Sequence, residues 1–151
     1  MSFIFSSIFS SADKVKLVQA ITDAERRTSG ELRLYMEADC PSESLDRAKE
    51  VFNQLKMAET ELRNGILIYV AFKSRKVAIY GDTAIHQLLG HDYWNASITR
   101  VIQDFKSKKY TSGLEILIAD LGDRLAHYFP IRENDQNELS NDIVFGQDML
   151  E

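Results

Sequence analysis

The sequence predicts an α/β fold: a Rossmann-like α/β/α sandwich with a small mixed sheet, element order αβαββαα and helices on both faces. Three observations predict it. Asn64-Gly65-Ile66-Leu67-Ile68-Tyr69-Val70-Ala71-Phe72 is an unbroken apolar run of strand length, rich in β-branched and aromatic residues and bounded by Asn-Gly. A strand apolar at every position has both faces buried, which places it centrally in a sheet covered by helices. Segments with apolar residues at helical spacing flank it, and the short link Lys73-Ser74 joins it to a second apolar strand.

The elements follow in order. In residues 1–10, Ile4/Ile8 and Phe5/Phe9 are each four apart. That spacing predicts a short amphipathic turn lying on the domain, with a loose membrane-surface anchor as the alternative. Ser10-Ser11-Ala12-Asp13 reads as a capping box opening a helix over about 11–28, with Val15, Val18, Ile21 and Ala24 on one side and Gly30 ending it. Glu31 to Glu37 alternates apolar and polar, as a half-buried strand near an edge does. Pro41 and Ser42 or Ser44 start a second helix carrying Leu45, Ala48, Phe52 and Leu55. After the central strand, Arg75 to Tyr80 forms another, and so short a link permits only an antiparallel hairpin. A third helix spans about 91–106, with Trp94, Ile98, Val101, Ile102 and Phe105 on one stripe; Trp94 reads as core before ligand platform. Tyr110 to Gly113 is a break, and a fourth helix spans about 113–129, stopped by Pro130. Residues 11–130 form the domain. Residues 131–151 carry six acidic groups and few apolar ones and read as an extended acidic tail.

A length of 151 residues suits one domain and a core that needs no disulfide or metal to fold. The lone cysteine, Cys40, rules out an intramolecular disulfide and fits a reducing compartment. A net charge of -5 gives nucleic-acid binding no electrostatic support and disfavours docking on anionic lipid. No run reaches the ~20 apolar residues of a membrane span, and the N-terminus lacks the basic start of a signal peptide. A soluble, cytoplasmic protein is expected.

The first two strands, joined through a helix, are parallel, and the third is antiparallel to the second. Thr28, Ser29, Gly30, Glu31, Arg63, Asn64, Gly65, Gly81 and Asp82 then gather on one rim of the sheet although they span fifty residues of sequence. The general rule for open α/β sheets favours the opposite, carboxyl end of the strands, near Glu37, Asp39 and an anion site at Ser42 or Ser44.

These pieces together resemble the TPM domain family, which includes a thylakoid-lumen acid phosphatase and a soluble bacterial subgroup. The matching residues are Ala24 to Glu31, Thr60 with Asn64 to Ala71, Gly81-Asp82, Tyr93-Trp94, Tyr110 with Gly113, and His127 to Pro130. Asn137-Glu138-Leu139 and Phe145-Gly146 are similar to the end of the soluble subgroup, with Ser140 where that subgroup has proline. The signal peptide, membrane span and glycine-rich tail of many relatives have no counterpart here. The resemblance implies the same α/β/α sandwich, and with it phosphatase activity and calcium or magnesium binding.

With that implication, the rim becomes the candidate site. Glu31, Asp82 and Asp92 are the expected ligands of a calcium or magnesium ion, since hard cations take oxygen donors. Glu31 and Asp82 are the expected catalytic carboxylates, the cation polarising a phosphoryl oxygen and activating water. Arg27 or Arg63 is the expected phosphate clamp, with Ser29 and Gly65 also lining the phosphate. The expected substrate is a phosphorylated small molecule or protein. The competing reading makes the glycines plain turns and pairs Glu25 or Glu31 with Arg63 as a surface ion pair. Under it, the chain is a non-catalytic divalent-cation-binding or protein-interaction module. Six residues, none of them glycine, separate Cys40 from Arg47, unlike a cysteine-phosphatase loop, and no zinc, P-loop or serine-hydrolase motif occurs.

Overall fold

A computed structural model of the chain describes residues 8–132 and 141–149. Its elements are α1 (Ser11–Glu25), β1 (Glu31–Glu37), α2 (Ser44–Gln54), β2 (Gly65–Ala71), β3 (Lys76–Gly81), α3 (Thr83–Lys106), α4 (Tyr110–Tyr128) and β4 (Val144–Phe145), followed by a 3-10 turn at Gln147–Met149. Among the described residues the sheet has four strands in the order β3-β2-β1-β4. β1 runs parallel to β2 and to β4, and β3 antiparallel to β2.

Every residue of β2 is buried, as its unbroken apolar run predicts. Alternate side chains feed two cores. Ile66, Ile68 and Val70, with Leu32, Leu34 and Met36 of β1, pack against α1, α3 and α4. Leu67, Tyr69 and Ala71, with Tyr35 and Ala78, pack against Ala48, Val51 and Phe52 of α2. The result is the expected sandwich, with three helices on one face and one on the other. Each fully buried Leu or Ile contributes about 1.5–3 kcal/mol relative to exposure.

α1 opens on the predicted capping box. The Asp13 amide donates to Ser10 Oγ at 3.0 Å, and the Ser10 amide donates back to Asp13 Oδ2 at 2.9 Å. The helix ends at Glu25, three residues short of expectation, and buries Leu17, Ile21 and Ala24; Val15 lies on the solvent side, 68% exposed. Gly30 does not cap it. A Cβ there would lie 2.7 Å from Leu125 Cδ2, so the glycine serves the close approach of β1 to α4. α3 starts eight residues earlier than the periodicity predicts. The helical path breaks at Gly90, whose φ of 77° belongs to the left-handed region, and resumes beyond it. Tyr110 to Gly113, expected as a break, is the first turn of α4.

β4 is unexpected. Val144 and Phe145 pair with Tyr35 and Met36, so the lower half of β1 becomes interior, while among the described residues no strand pairs with its Glu31 end on that side. Of the predicted N-terminal turn, residues 1–7 lie outside the described residues, Ile8 is half-buried and Phe9 is buried. Among the described residues no helix is long and apolar enough to cross a membrane.

Candidate functional site

The register brings the predicted rim together. Glu31 pairs with Gly65, and the Asp82 amide donates to the Gly65 carbonyl at 2.8 Å, so Glu31, Gly65 and Asp82 form one row across the sheet. Glu31 and Asp82 are both buried, at 2% and 3% exposure.

Asp82 is the N-cap of α3, its Oδ1 accepting from the Thr83 amide at 2.7 Å. It also accepts both arms of the Arg63 guanidinium, Nε to Oδ2 at 2.7 Å and Nη2 to Oδ1 at 2.9 Å. Planar, bidentate pairing of this kind fixes the orientation of the arginine. The Arg63 backbone is locked as well. Its φ is 51°, in the left-handed region that non-glycine residues rarely adopt, and its carbonyl accepts from the Ala84 amide at 3.2 Å. Yet the Arg63 side chain is 49% exposed. A guanidinium is thus held at the rim by a buried carboxylate and still faces solvent. The expected pairing of Arg63 with Glu25 or Glu31 is replaced by this fork.

Glu25 closes the open edge of β1. Its Oε2 accepts from the Leu32 amide at 2.7 Å, where a neighbouring strand would otherwise supply a carbonyl. The Glu31 carboxyl lies close enough to act on it electrostatically. Burial first, and then the Glu31 charge beside it, push Glu25 up to about 9, while the Leu32 amide pulls the other way. The protonated form of Glu25 is therefore favoured in the folded chain relative to a free carboxyl.

Next to Arg63, Asn64 is fully buried, and among the described residues neither its side-chain oxygen nor its side-chain nitrogen has a hydrogen-bond partner. Thr60 Oγ1 is buried and unpartnered too. Buried polar atoms without a protein partner are uncommon. Topology places Asn64 on the rim and Thr60 enters only with the family pattern; neither stands out as a site residue in sequence, because side-chain satisfaction does not show there.

The other predicted site residues lie elsewhere or are engaged. Arg27 pairs with Asp123 on α4. The Ser29 amide and hydroxyl both donate to the Phe129 carbonyl, at 2.9 and 3.4 Å. Asp92 is exposed on α3. Gly65 lies inside β2, with the Met57 carbonyl 3.3 Å from where a Cβ would be. Trp94 is core, 3% exposed, its Nε1 donating to His86 Nδ1 at 2.9 Å. The cation implied by the family does not fit Glu31, Asp82 and Asp92. Asp82 is already paired with Arg63, Glu31 is buried beside the Glu25 carboxyl, and Asp92 stands out in solvent. Among the described residues no group of three or more His, Cys, Asp or Glu side chains could hold a metal ion.

The carboxyl end of the parallel strands holds a different polar cluster. Buried Glu37 accepts from Arg47 Nε and Nη2, both at 2.9 Å, and from the Tyr69 hydroxyl; the Tyr35 hydroxyl lies 3.4 Å away. Burial, Cys40 and Glu37 raise the Tyr69 hydroxyl above its ordinary range. Asp148, beyond β4, accepts from the Ala38 and Asp39 amides at 2.8 and 3.0 Å and so caps the end of β1. The expected anion position at Ser42 or Ser44 is taken: the Glu43 carboxylate caps α2 by accepting from the Leu45 amide at 2.6 Å. Cys40 is half-buried, its Sγ directed to the Ser42 carbonyl at 3.0 Å.

Comparison with known proteins agrees with this architecture. The family described as TPM domain matches residues 4–124. The NMR structure of the BA42 protein from the psychrophilic bacterium Bizionia argentinensis is 38% identical, with a TM-score of 0.84, covering 91% of this chain and 95% of that one. The N-terminal domain of a P. gingivalis protein is 17% identical (TM-score 0.68; 82% of this chain, 80% of that one). The N-terminal domain of cg2496 from Corynebacterium glutamicum is 13% identical (TM-score 0.62; 80% and 76%). The last two are similar in fold alone. No curated protein matches the chain.

Proposed function

The chain belongs to the TPM domain family, and from that premise we propose that it is a phosphatase-like domain acting on phosphomonoesters at the Arg63 rim. One observation carries this reading: a half-exposed guanidinium whose backbone and side chain are both locked, the latter by a buried carboxylate. Arg63 clamps the phosphate, with the buried Asn64 amide and Thr60 hydroxyl behind it. Asp82 is then a positioning residue that acts through Arg63. Glu31 and Glu25 form the acid–base pair. Water adds to phosphorus, the ester P–O bond breaks, and the departing oxygen takes a proton from the pair while the added water releases one to solvent. No step passes through a metal ion.

The test is hydrolysis of p-nitrophenyl phosphate from acid to neutral pH, with chelator and with added calcium or magnesium. Chelator-resistant turnover is expected, with Arg63→Ala lowering kcat/KM by about 10-fold or more, the loss typical of one phosphate-clamping or oxyanion-stabilising group, while its circular dichroism stays native. Absence of turnover under all these conditions overturns the hydrolase. Turnover only with added calcium or magnesium overturns its metal-free form. Of the second reading, a divalent-cation-binding or protein-interaction module without catalysis, one fact favours the protein-interaction half alone: both Asp82 oxygens are already spent on Arg63 and the α3 cap.

A further inference from the structure

A cavity of about 530 Å³ opens at the other end of β2, between the β2–β3 hairpin and the turn from α3 to α4. Its floor is apolar. Phe72 stacks on Phe105 with ring centroids 5.8 Å apart, and Tyr110 meets both edge-on, at 6.0 and 5.3 Å. Val77 and Ile102 extend this surface. Its lip is cationic: Lys73, Arg75 and Lys76 come from the hairpin, and Lys106 and Lys108 from the helix turn. All five are exposed, no acidic residue lines the cavity, and none of the five forms an ion pair among the described residues. Arg75 and Lys108, with φ of 55° and 59°, sit in left-handed turns that set the two basic segments around the opening.

This concentration of positive charge stands out in a chain of net charge -5. A run of lysines alone would be a solvated face, and an apolar hollow alone would need no charge around it. Together they match a molecule with an apolar body and an anionic head. The volume falls within the ~300–1,000 Å³ of small-molecule sites. At the ~30 Å³ that a water takes in the liquid, it holds on the order of eighteen groups of that size.

We propose that this cavity binds a free, single-chain amphiphilic anion, its chain on the Phe72–Phe105–Tyr110 floor and its head among the hairpin and turn cations. A concave site on a net-negative protein suits a monomeric ligand better than a bilayer surface. Because the site lies at the opposite end of the sheet from Arg63, its failure would leave the phosphatase reading untouched.

The probe is dodecanoate below its micelle concentration, titrated into the full-length protein by calorimetry and amide NMR, beside dodecanol. Saturable binding with shifts at residues 72–76 and 105–110 is expected, about 10-fold or more tighter than dodecanol. The double variant K73E/K76E, altered only at exposed positions, should lose that advantage while binding dodecanol as before. Equal affinity for the two probes overturns the proposal. So does binding only to anionic vesicles, or a self-associated dimer that protects these residues from the probe.

Discussion

Replacing Glu25 by glutamine isolates the carboxyl pair at the edge of β1. Glutamine has the same shape, still accepts from the Leu32 amide and can donate to Glu31, but it does not titrate. Glu25 is raised in the folded chain from 4.5 to about 9. Its favourable contribution is therefore complete below the unfolded value and is lost as pH rises through the folded one. Between those limits each pH unit costs the wild type up to about 1.4 kcal/mol, a ceiling of about 3 kcal/mol at pH 7. Glu25 is only half-buried, and solvent screening brings the expected difference at pH 7 to roughly 1.5 kcal/mol. Urea unfolding of both proteins from about pH 4 to 9 is the assay. Glu25→Gln should match the wild type at acid pH and become progressively more stable as pH rises. A difference that does not change with pH, or a variant less stable throughout, would show that Glu25 is ionised in the folded chain and refute the reasoning.

Three further outcomes follow from the packing. Arg47→Met leaves buried Glu37 without its fork, the two side chains being 14% and 6% exposed, and should cost about 3–5 kcal/mol by thermal or urea unfolding. Gly146→Ala places a Cβ 2.7 Å from Glu37 Cβ and 2.9 Å from the Tyr35 hydroxyl; a loss of about 1–3 kcal/mol is expected, with amide protection lost at Val144 and Phe145. Asp82→Ala removes both the α3 cap and the Arg63 partner, and should cost about 2–3 kcal/mol while broadening the Arg63 side-chain resonances.

The sheet's centre and the rim were legible in sequence for one physical reason. An apolar run of strand length can be buried on both faces in few ways, and the short hairpin link then dictates which residues meet. Hence Glu31, Gly65 and Asp82 align as topology requires. The α1 cap was legible because a capping box is local. β4 was not: two residues carry no periodicity, and their pairing is decided by Gly146 fitting against Glu37 and by Asp148 reaching the β1 amides, contacts about 110 residues apart in sequence. The early start of α3 was hidden by Gly90, which reads as a breaker although helix continues beyond it. The roles of the rim charges were hidden because they depend on partners. The left-handed turn at Arg63 aims it at Asp82 instead of Glu31, and the open edge of β1 draws in Glu25. Both facts give carboxylates expected at a free rim fixed partners: Asp82 holds Arg63, and Glu25 holds the Leu32 amide.

Amide and arginine side-chain NMR during titration with inorganic phosphate puts Arg63 to its most direct trial. Saturable shifts should appear at Arg63, Asn64, Thr83 and Ala84, with the Arg63 Nε proton moving most, and all should vanish in Arg63→Ala. Phosphate that leaves these resonances in place, or moves them equally in the variant, would contradict anion recognition at the rim.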